Sequence, residues 1–264
     1  MHDVIRPVVS SCGLGRRRVA HSRWRRWLRA VIHFFSYHLI LNRHTTRTTR
    51  AAGFRLRVGP TVFHPRYFLT SEFFASVIDR LDLKGKRVAD VGTGSGILAL
   101  AAVRAGAESV AAIDINPNAV LTTAENARAN RLENRVYAVC SDLFAAVAPC
   151  QQFDVIISSP PSFPGAPRDM ADRAWCAGSN YCDIAQLFDQ ARARLAEDGC
   201  VYLLLSSDSD LDFFDALIAQ TGLEARLVAE RSIVIETLLI YELKPVPHRF
   251  LARESRDEKA RIRP

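Results

Sequence analysis

Val88-Ala89-Asp90-Val91-Gly92-Thr93-Gly94-Ser95-Gly96-Ile97-Leu98 is the stretch that decides the fold. Arg87–Val91 predicts a buried strand, and the glycines at alternate positions let the chain turn tightly and bring its backbone against a ligand. The Ala/Leu run Ile97–Ala105 predicts a helix, stopped by Gly106. The register is G-x-G-x-G. A dinucleotide fingerprint, G-x-G-x-x-G, needs glycine at position 97, where this chain carries Ile97. A nicotinamide-dependent oxidoreductase is therefore disfavoured.

Outward from this loop the alternation of strand and helix continues. Upstream, Phe73, Phe74, Val77, Ile78 and Leu81 are helically spaced over Thr70–Leu81 behind a Thr/Ser cap. Downstream come a strand Ser109–Ile113, a helix opened by Pro117 and running to about Asn130, and strands Val136–Val139 and Phe153–Ser158. A helix Asp183–Leu195, a strand Cys200–Leu205 and a helix Leu211–Thr221 follow, then two closing runs, Ala225–Ala229 and Ile233–Leu243. Strands separated by helices predict an α/β doubly wound, mostly parallel seven-stranded sheet with ligands at the carboxyl ends of the strands. Only Glu230–Ser232 joins the last two runs, too few residues for a parallel crossover, so they close the sheet as an antiparallel hairpin.

At 264 residues, 48% of them hydrophobic, the chain has the size of one globular domain with extensions. No run of eighteen apolar residues is present, which excludes a polytopic membrane protein. The net charge of +7 is segregated. Residues 1–57 form a basic arm with thirteen arginines and one acid (+12), residues 58–244 carry −8, and the charged tail 245–264 carries +3. Contact with phosphates, anionic lipid or an acidic partner would then run through the arm. Within it, Trp24, Trp27, Leu28, Val31, Phe34, Phe35 and Leu39 define an amphipathic helix over 24–41, whose uncharged stretch of about 18 Å is too short to span a hydrocarbon core of about 30 Å. Packing on the body, membrane-surface or RNA contact, and an Arg-rich targeting segment are the open readings of this helix. The six cysteines show neither a C-x-x-C pair nor metal spacing, so reduced thiols, a cytoplasmic setting and no bound metal are expected.

Asp114 ends the second strand, where a carboxylate can accept both hydrogen bonds of a ribose diol. With the Val88–Leu98 motif and Ser141-Asp142-Leu143, it resembles the class I S-adenosylmethionine-dependent methyltransferases over about Gly53 to Leu243. The resemblance implies a Rossmann-like methyltransferase fold and S-adenosylmethionine as cofactor. It puts Asp90 by the methionine amino end, Gly92, Thr93, Gly94 and Gly96 beneath the donor, Asp114 and Ile115 at the ribose, and Asp142 and Leu143 at the adenine. The competing reading of Asp114 and Asp142 is that they cap the next helix or turn.

The fourth strand runs into Ser158-Ser159-Pro160-Pro161-Ser162-Phe163. This resembles the Asn/Asp/Ser-Pro-Pro-aromatic motif of methyltransferases acting on planar amino groups, which implies Ser159, Pro160, Pro161 and Phe163 as the catalytic set, with Ser159 also against the donor. Ser159 stands where glutamine-modifying enzymes have asparagine, and Phe163 comes one residue late, behind Ser162. Val62-Phe63-His64-Pro65-Arg66-Tyr67-Phe68-Leu69-Thr70-Ser71-Glu72 is similar to the segment preceding the cofactor domain in release-factor glutamine methyltransferases, which implies Thr70 and Phe68 as a cofactor lid. His64 and Arg66 read equally as loop groups. Pro164–Gly178 is expected to form a mobile wall over the acceptor, with Trp175 lining or anchoring it, and Ser206–Asp210 a helix-capping loop without chemistry.

The expected activity is methyl transfer from S-adenosylmethionine to an amide or amino nitrogen of a protein, a glutamine side chain being one candidate. RNA or DNA base amino groups, or a scaffold that binds the cofactor without turnover, are the alternatives.

Overall fold

The computed structural model describes residues 45–65, 69–161, 163–233 and 236–246. The amphipathic helix over 24–41, its membrane and targeting readings, and all of the tail but Pro245 and Val246 lie outside the described residues, as do Arg66, Tyr67, Phe68 and Ser162.

A hairpin, β1 (Arg47–Ala51) and β2 (Phe54–Val58), precedes α1 (Leu69–Ile78). Then follow β3 (Arg87–Val91), α2 (Ile97–Arg104), β4 (Ser109–Asp114), α3 (Pro117–Ala129), β5 (Val136–Cys140) and β6 (Phe153–Ser158). After a long connection come α4 (Cys182–Arg194), β7 (Leu195–Ser206), α5 (Leu211–Gln220), β8 (Leu223–Ser232) and β9 (Thr237–Pro245). Seven strands form one sheet in the order β5-β4-β3-β6-β7-β9-β8. Pairing is parallel from β5 to β7, and β9 runs antiparallel to both β7 and β8, the closing hairpin that the short connection predicts. The connection is Ile233–Glu236 rather than Glu230–Ser232, because β8 carries its ladder on through Ser232, paired with Thr237.

From β3 the chain builds outward through β4 to β5, then crosses back to lay β6 on the opposite side of β3. Loops leaving β3 and β6 therefore diverge and open a crevice at the carboxyl edge, the place where ligands sit in sheets of this type. Core side chains cover both faces: Leu100, Val110 and Ile157 on one, Ile156, Phe188 and Phe214 on the other.

The described body extends back across the 57/58 boundary. Residues 47–58 are a hairpin docked on the body, in register from Arg47↔Val58 to Ala51↔Phe54. Phe54, Leu56 and Val58 are buried while Arg55 and Arg57 face solvent, a period-two pattern hidden among arginines. The guanidinium of Arg104 lies 4.2 Å over the Phe54 ring, pairs with Asp79 at 2.6 Å and donates to the Ala52 carbonyl at 2.6 Å, so one side chain clamps the hairpin tip.

α3 holds the other edge. Thr122, Asn126 and Asn130, four residues apart on one helix face, meet alternate residues of the extended chain. Gly59 N–H donates to Thr122 Oγ1 (3.3 Å), Arg57 N–H to Asn126 Oδ1 (2.7 Å) and Arg55 N–H to Asn130 Oδ1 (3.4 Å). Asn126 is fully buried, and its amide also donates to the carbonyls of Arg57 (2.8 Å) and Ser95 (2.9 Å), tying the hairpin to the glycine loop. Asn126→Ala is expected to cost about 2–4 kcal/mol in urea unfolding, because buried backbone partners lose hydrogen bonds together. A cost within experimental error would show that water replaces the amide.

Candidate active site

After β3 the chain turns through Gly92, Gly94 and Gly96, at φ of 81°, 55° and 79°. These left-handed values are open to glycine with little penalty. A Cβ on Gly92 would meet nothing within 4 Å and one on Gly94 only a backbone oxygen at 4.0 Å, so the bare backbone fronts open space. At Gly96 a Cβ would strike Thr123 at 2.9 Å; that glycine lets α2 approach α3. The loop is fixed from below: Gly92 and Thr93 N–H donate to the Ile113 carbonyl (2.9 and 3.0 Å), and Ser158 Oγ donates to the Val91 carbonyl (2.9 Å).

Asp90 is buried beneath this turn. Its Oδ2 accepts from Thr93 Oγ1 (2.7 Å) and the Ala99 N–H (3.1 Å), while Oδ1 has no hydrogen-bond partner among the described residues. Burial pushes its carboxyl up to about 7, against the two hydrogen bonds. Asp114, at the end of β4, accepts from Gly94 N–H through Oδ2 and from Asn116 N–H through Oδ1, both at 2.9 Å. Burial lifts its pKa as well, outweighing those N–H donors. Beyond β5, Leu143 adopts φ 46°, and Asp142 is exposed.

A single cavity of about 280 Å³ runs across the carboxyl edge of the sheet, from Asp114, Ile115, Asp142 and Leu143 to Ser159, Pro160, Pro161 and Phe163. Thr70, Gly92, Thr93 and Gly94 line it between. The ring of Phe163 stacks on Trp175 at 5.6 Å and 25°, and both rings face the cavity. The expected mobile wall is strapped at both ends. Ala177 N–H donates to the Phe163 carbonyl (2.9 Å) and Gly165 N–H to Gly178 (3.1 Å), while buried Asp172 receives the backbone N–H of Arg168 (3.1 Å) and two guanidinium bonds (2.9 and 3.1 Å). Trp175 thus both lines and anchors.

Residues 69–159 match the family model of the ribosomal protein L11 methyltransferases. A Methanocaldococcus jannaschii protein described as a "putative protein N5-glutamine methyltransferase" is 27% identical over 193 residues, 71% of this chain and 94% of its own length. The ribosomal protein L11 methyltransferase of Alteromonas mediterranea is 54% identical over 59 residues, 22% of this chain and 20% of that enzyme. Among solved structures, a ribosomal protein L11 methylase from Lactobacillus delbrueckii superposes with a TM-score of 0.53 at 25% identity, over 72% of this chain and 84% of its own. The chain is a class I S-adenosylmethionine-dependent methyltransferase. The T. thermophilus 16S rRNA N2 G1207 methyltransferase shares the fold, with a TM-score of 0.54 at 22% identity over 74% of this chain and 49% of its own. Of the L11 enzymes' own length, the stretch matched here spans less than a third.

In this methyltransferase all the described residues assigned from sequence to the donor or to catalysis line the cavity except two. Asp90 and Gly96 lie behind the wall, Asp90 because its carboxylate points into the base of the loop and Gly96 because it faces α3. Two groups of cavity residues escaped the sequence reading, and a third, at Ser206, was read only as part of a capping loop. Thr61, at φ 61°, receives the side-chain amides of Asn116 (3.0 Å) and Asn118 (3.2 Å) and so holds its segment over the Asp114 end. Ser206 donates to Glu236 from the β9 side. Arg173 and Asp183 line the same cavity as Ser159, their Nη1 and Oδ2 3.6 Å apart. Asn116-Pro117 carries the local signature of a helix start, and its Oδ1 does cap Asn118 N–H (3.0 Å), yet its second bond to Thr61 has no local signal. Ser206–Asp210 does cap a helix, Asp210 Oδ1 accepting from Phe213 N–H at 3.1 Å.

Among the described residues no helix is long and apolar enough to cross a membrane, and no three His, Cys, Asp or Glu side chains are grouped to hold a metal ion.

Proposed function

We propose that this methyltransferase methylates the nitrogen of a protein side chain, with a glutamine carboxamide as the leading acceptor. The observation carrying the reading is the adjacency of β3 and β6, with Val91 paired to Ser158. It sets the rigid Ser159-Pro160-Pro161 turn beside the glycine loop in one cavity. The open space over Gly92 and Gly94, the Asp114 carboxylate and the exposed Asp142 suit a nucleoside with a ribose diol and an adenine amino group. In this assignment Gly92, Thr93, Gly94 and Thr70 flank the methionine portion, Asp114 and Ile115 the ribose, and Asp142 and Leu143 the base; Asp90 and Gly96 shape the loop that carries them. Bound S-adenosylmethionine supplies an electrophilic methyl on sulfur.

The residues' task is alignment, since displacement at a sulfonium methyl asks mainly that nitrogen, methyl and sulfur stand in line. The Ser159 hydroxyl accepts an N–H of the acceptor, Pro160 and Pro161 keep that hydroxyl fixed, and Phe163 backed by Trp175 gives a flat wall for a planar amide. A protein acceptor is favoured by the relative that this chain matches over 94% of its length, and by the net charge of −8 on residues 58–244, which opposes phosphate binding near the cavity.

Labelling a cell extract with donor carrying a radioactive methyl tests this. Protease-sensitive, ribonuclease-resistant label supports it, and the opposite pattern gives the acceptor to RNA. Ser159→Ala is expected to lower turnover about tenfold to a hundredfold with donor affinity nearly unchanged. Normal turnover in that variant removes Ser159 from the reaction.

A further inference from the structure

The far wall of the cavity carries a charged pair to which neither donor binding nor the Ser159 turn assigns a task. Asp183 is the second residue of α4, which starts directly behind two consecutive non-glycine residues in the left-handed region, Asn180 at φ 54° and Tyr181 at φ 61°. Backbone of this kind persists only where its surroundings over-determine it, and it gathers at functional sites. Here the pinning is explicit. The Tyr181 ring stacks on Phe213 at 4.7 Å and meets Phe214 edge-on at 5.5 Å. Its N–H donates to Gly178 (3.2 Å), and the Asp183 N–H to Ala177 (3.0 Å). Gly178 has room for no side chain, as a Cβ there would stand 2.8 Å from the Asp183 carboxyl carbon.

The strained turn delivers a half-finished acceptor. Asp183 Oδ1 receives the Cys182 thiol at 3.4 Å, but Oδ2 is buried without a hydrogen-bond partner. The Arg173 guanidinium is 3.6 Å from Oδ2, beyond a good hydrogen bond, and both side chains line the cavity that holds Ser159 and the Phe163–Trp175 wall. A buried carboxylate oxygen of this kind is costly until a donor reaches it. Alone, it would take an ammonium. The neighbouring guanidinium cancels that charge and repels a second cation, so the pair offers one acceptor and one fork of donors to a neutral ligand.

We propose that Arg173 and Asp183 read the acceptor as a neutral primary carboxamide, Arg173 donating to its carbonyl oxygen and Asp183 accepting an N–H, and so exclude the lysine ammonium. This rests on the carboxamide reading above and adds the residues that select it. Holding one N–H on Asp183 and the other on Ser159 would fix the amide plane with its nitrogen toward the methyl.

The test is binding, so it needs no physiological substrate. With S-adenosylhomocysteine bound, N-acetylglutamine methylamide and N-acetyllysine methylamide are titrated by protein NMR. Wild type is expected to bind the glutamine probe at millimolar concentration and the lysine probe much more weakly. Asp183→Asn should weaken the glutamine probe about tenfold while affinity for S-adenosylhomocysteine changes less than about twofold, which also reports an intact fold. Arg173→Ala, a second variant away from the strained turn, should shift preference toward the lysine probe. Unchanged glutamine binding in both variants overturns the role of the pair and leaves the carboxamide reading standing. A wild-type protein that ignores the glutamine probe but binds guanosine or cytidine overturns the carboxamide reading itself.

Discussion

Asp114→Ala is expected to weaken binding of S-adenosylmethionine about a hundredfold, roughly 3 kcal/mol, from the loss of two charge-assisted hydrogen bonds to a ribose diol. The carboxylate is preorganised. Gly94 N–H on one oxygen and Asn116 N–H on the other, each at 2.9 Å, hold it at the cavity rim, with Ile115 N–H as a further backbone donor. The same bonds make it structural, so the alanine variant also strands two backbone donors, at a further cost of about 1–3 kcal/mol in stability. Asp114→Asn grades the two roles. It keeps a carbonyl oxygen for one backbone donor and turns its NH2 toward the other, so its stability should fall between the alanine variant and wild type while donor affinity remains clearly reduced. Titration calorimetry with S-adenosylmethionine, alongside urea unfolding of both variants, gives the comparison. Donor affinity in Asp114→Ala within about threefold of wild type would place the ribose elsewhere.

The parts of this enzyme visible in the sequence are those whose physics is local. The glycine loop declares itself because left-handed turns need glycine, and β3, β4 and β6 do so because strands buried on both faces read as continuous apolar runs. The closing hairpin followed from connection length alone. The docked hairpin at 47–58 was missed for an equally physical reason: Arg47, Arg50, Arg55 and Arg57 dominate its composition, and its hydrogen bonds go to Asn126 and Asn130, some seventy residues away on a helix that reads as ordinarily polar. Left-handed Thr61, Leu143, Asn180 and Tyr181 carry no local signal either, since no composition rule places threonine, leucine or tyrosine there. Thr61 and Tyr181 are held by distant partners, Asn116 and Phe213. Of the cavity, the side built by the first three strands of the sheet was legible. The 164–178 wall with Trp175 was legible too, but the pairs Arg173–Asp183 and Ser206–Glu236 were not, because each partner acquires meaning only by facing the other.

Between pH 4 and pH 8 the protein is expected to lose stability through Asp90, by up to about 4 kcal/mol. The unfolded chain releases this proton near 3.8 and the folded one near 7, at about 1.4 kcal/mol per pH unit between. The cause is burial: full desolvation outweighs the Thr93 hydroxyl and the Ala99 N–H on Oδ2, and the Asp114 carboxylate adds to the rise. Because the folded state holds the proton more tightly, this stabilisation is fully present below the unfolded value and is lost as pH rises through about 7. Asp90→Asn keeps the shape and removes the charge, so its stability should vary less with pH across that window. Its urea midpoint should exceed that of wild type at pH 8 and approach it near pH 5. Equal slopes in the two proteins would refute the assignment. With the donor placed as proposed above, its binding would obey the same linkage, since a sulfonium and an ammonium over the Gly92–Gly94 turn would favour the ionised carboxylate beneath it. Wild-type affinity for S-adenosylmethionine should therefore fall as pH drops below 7, with proton release detectable as calorimetric heats that change with the buffer, and Asp90→Asn should show neither.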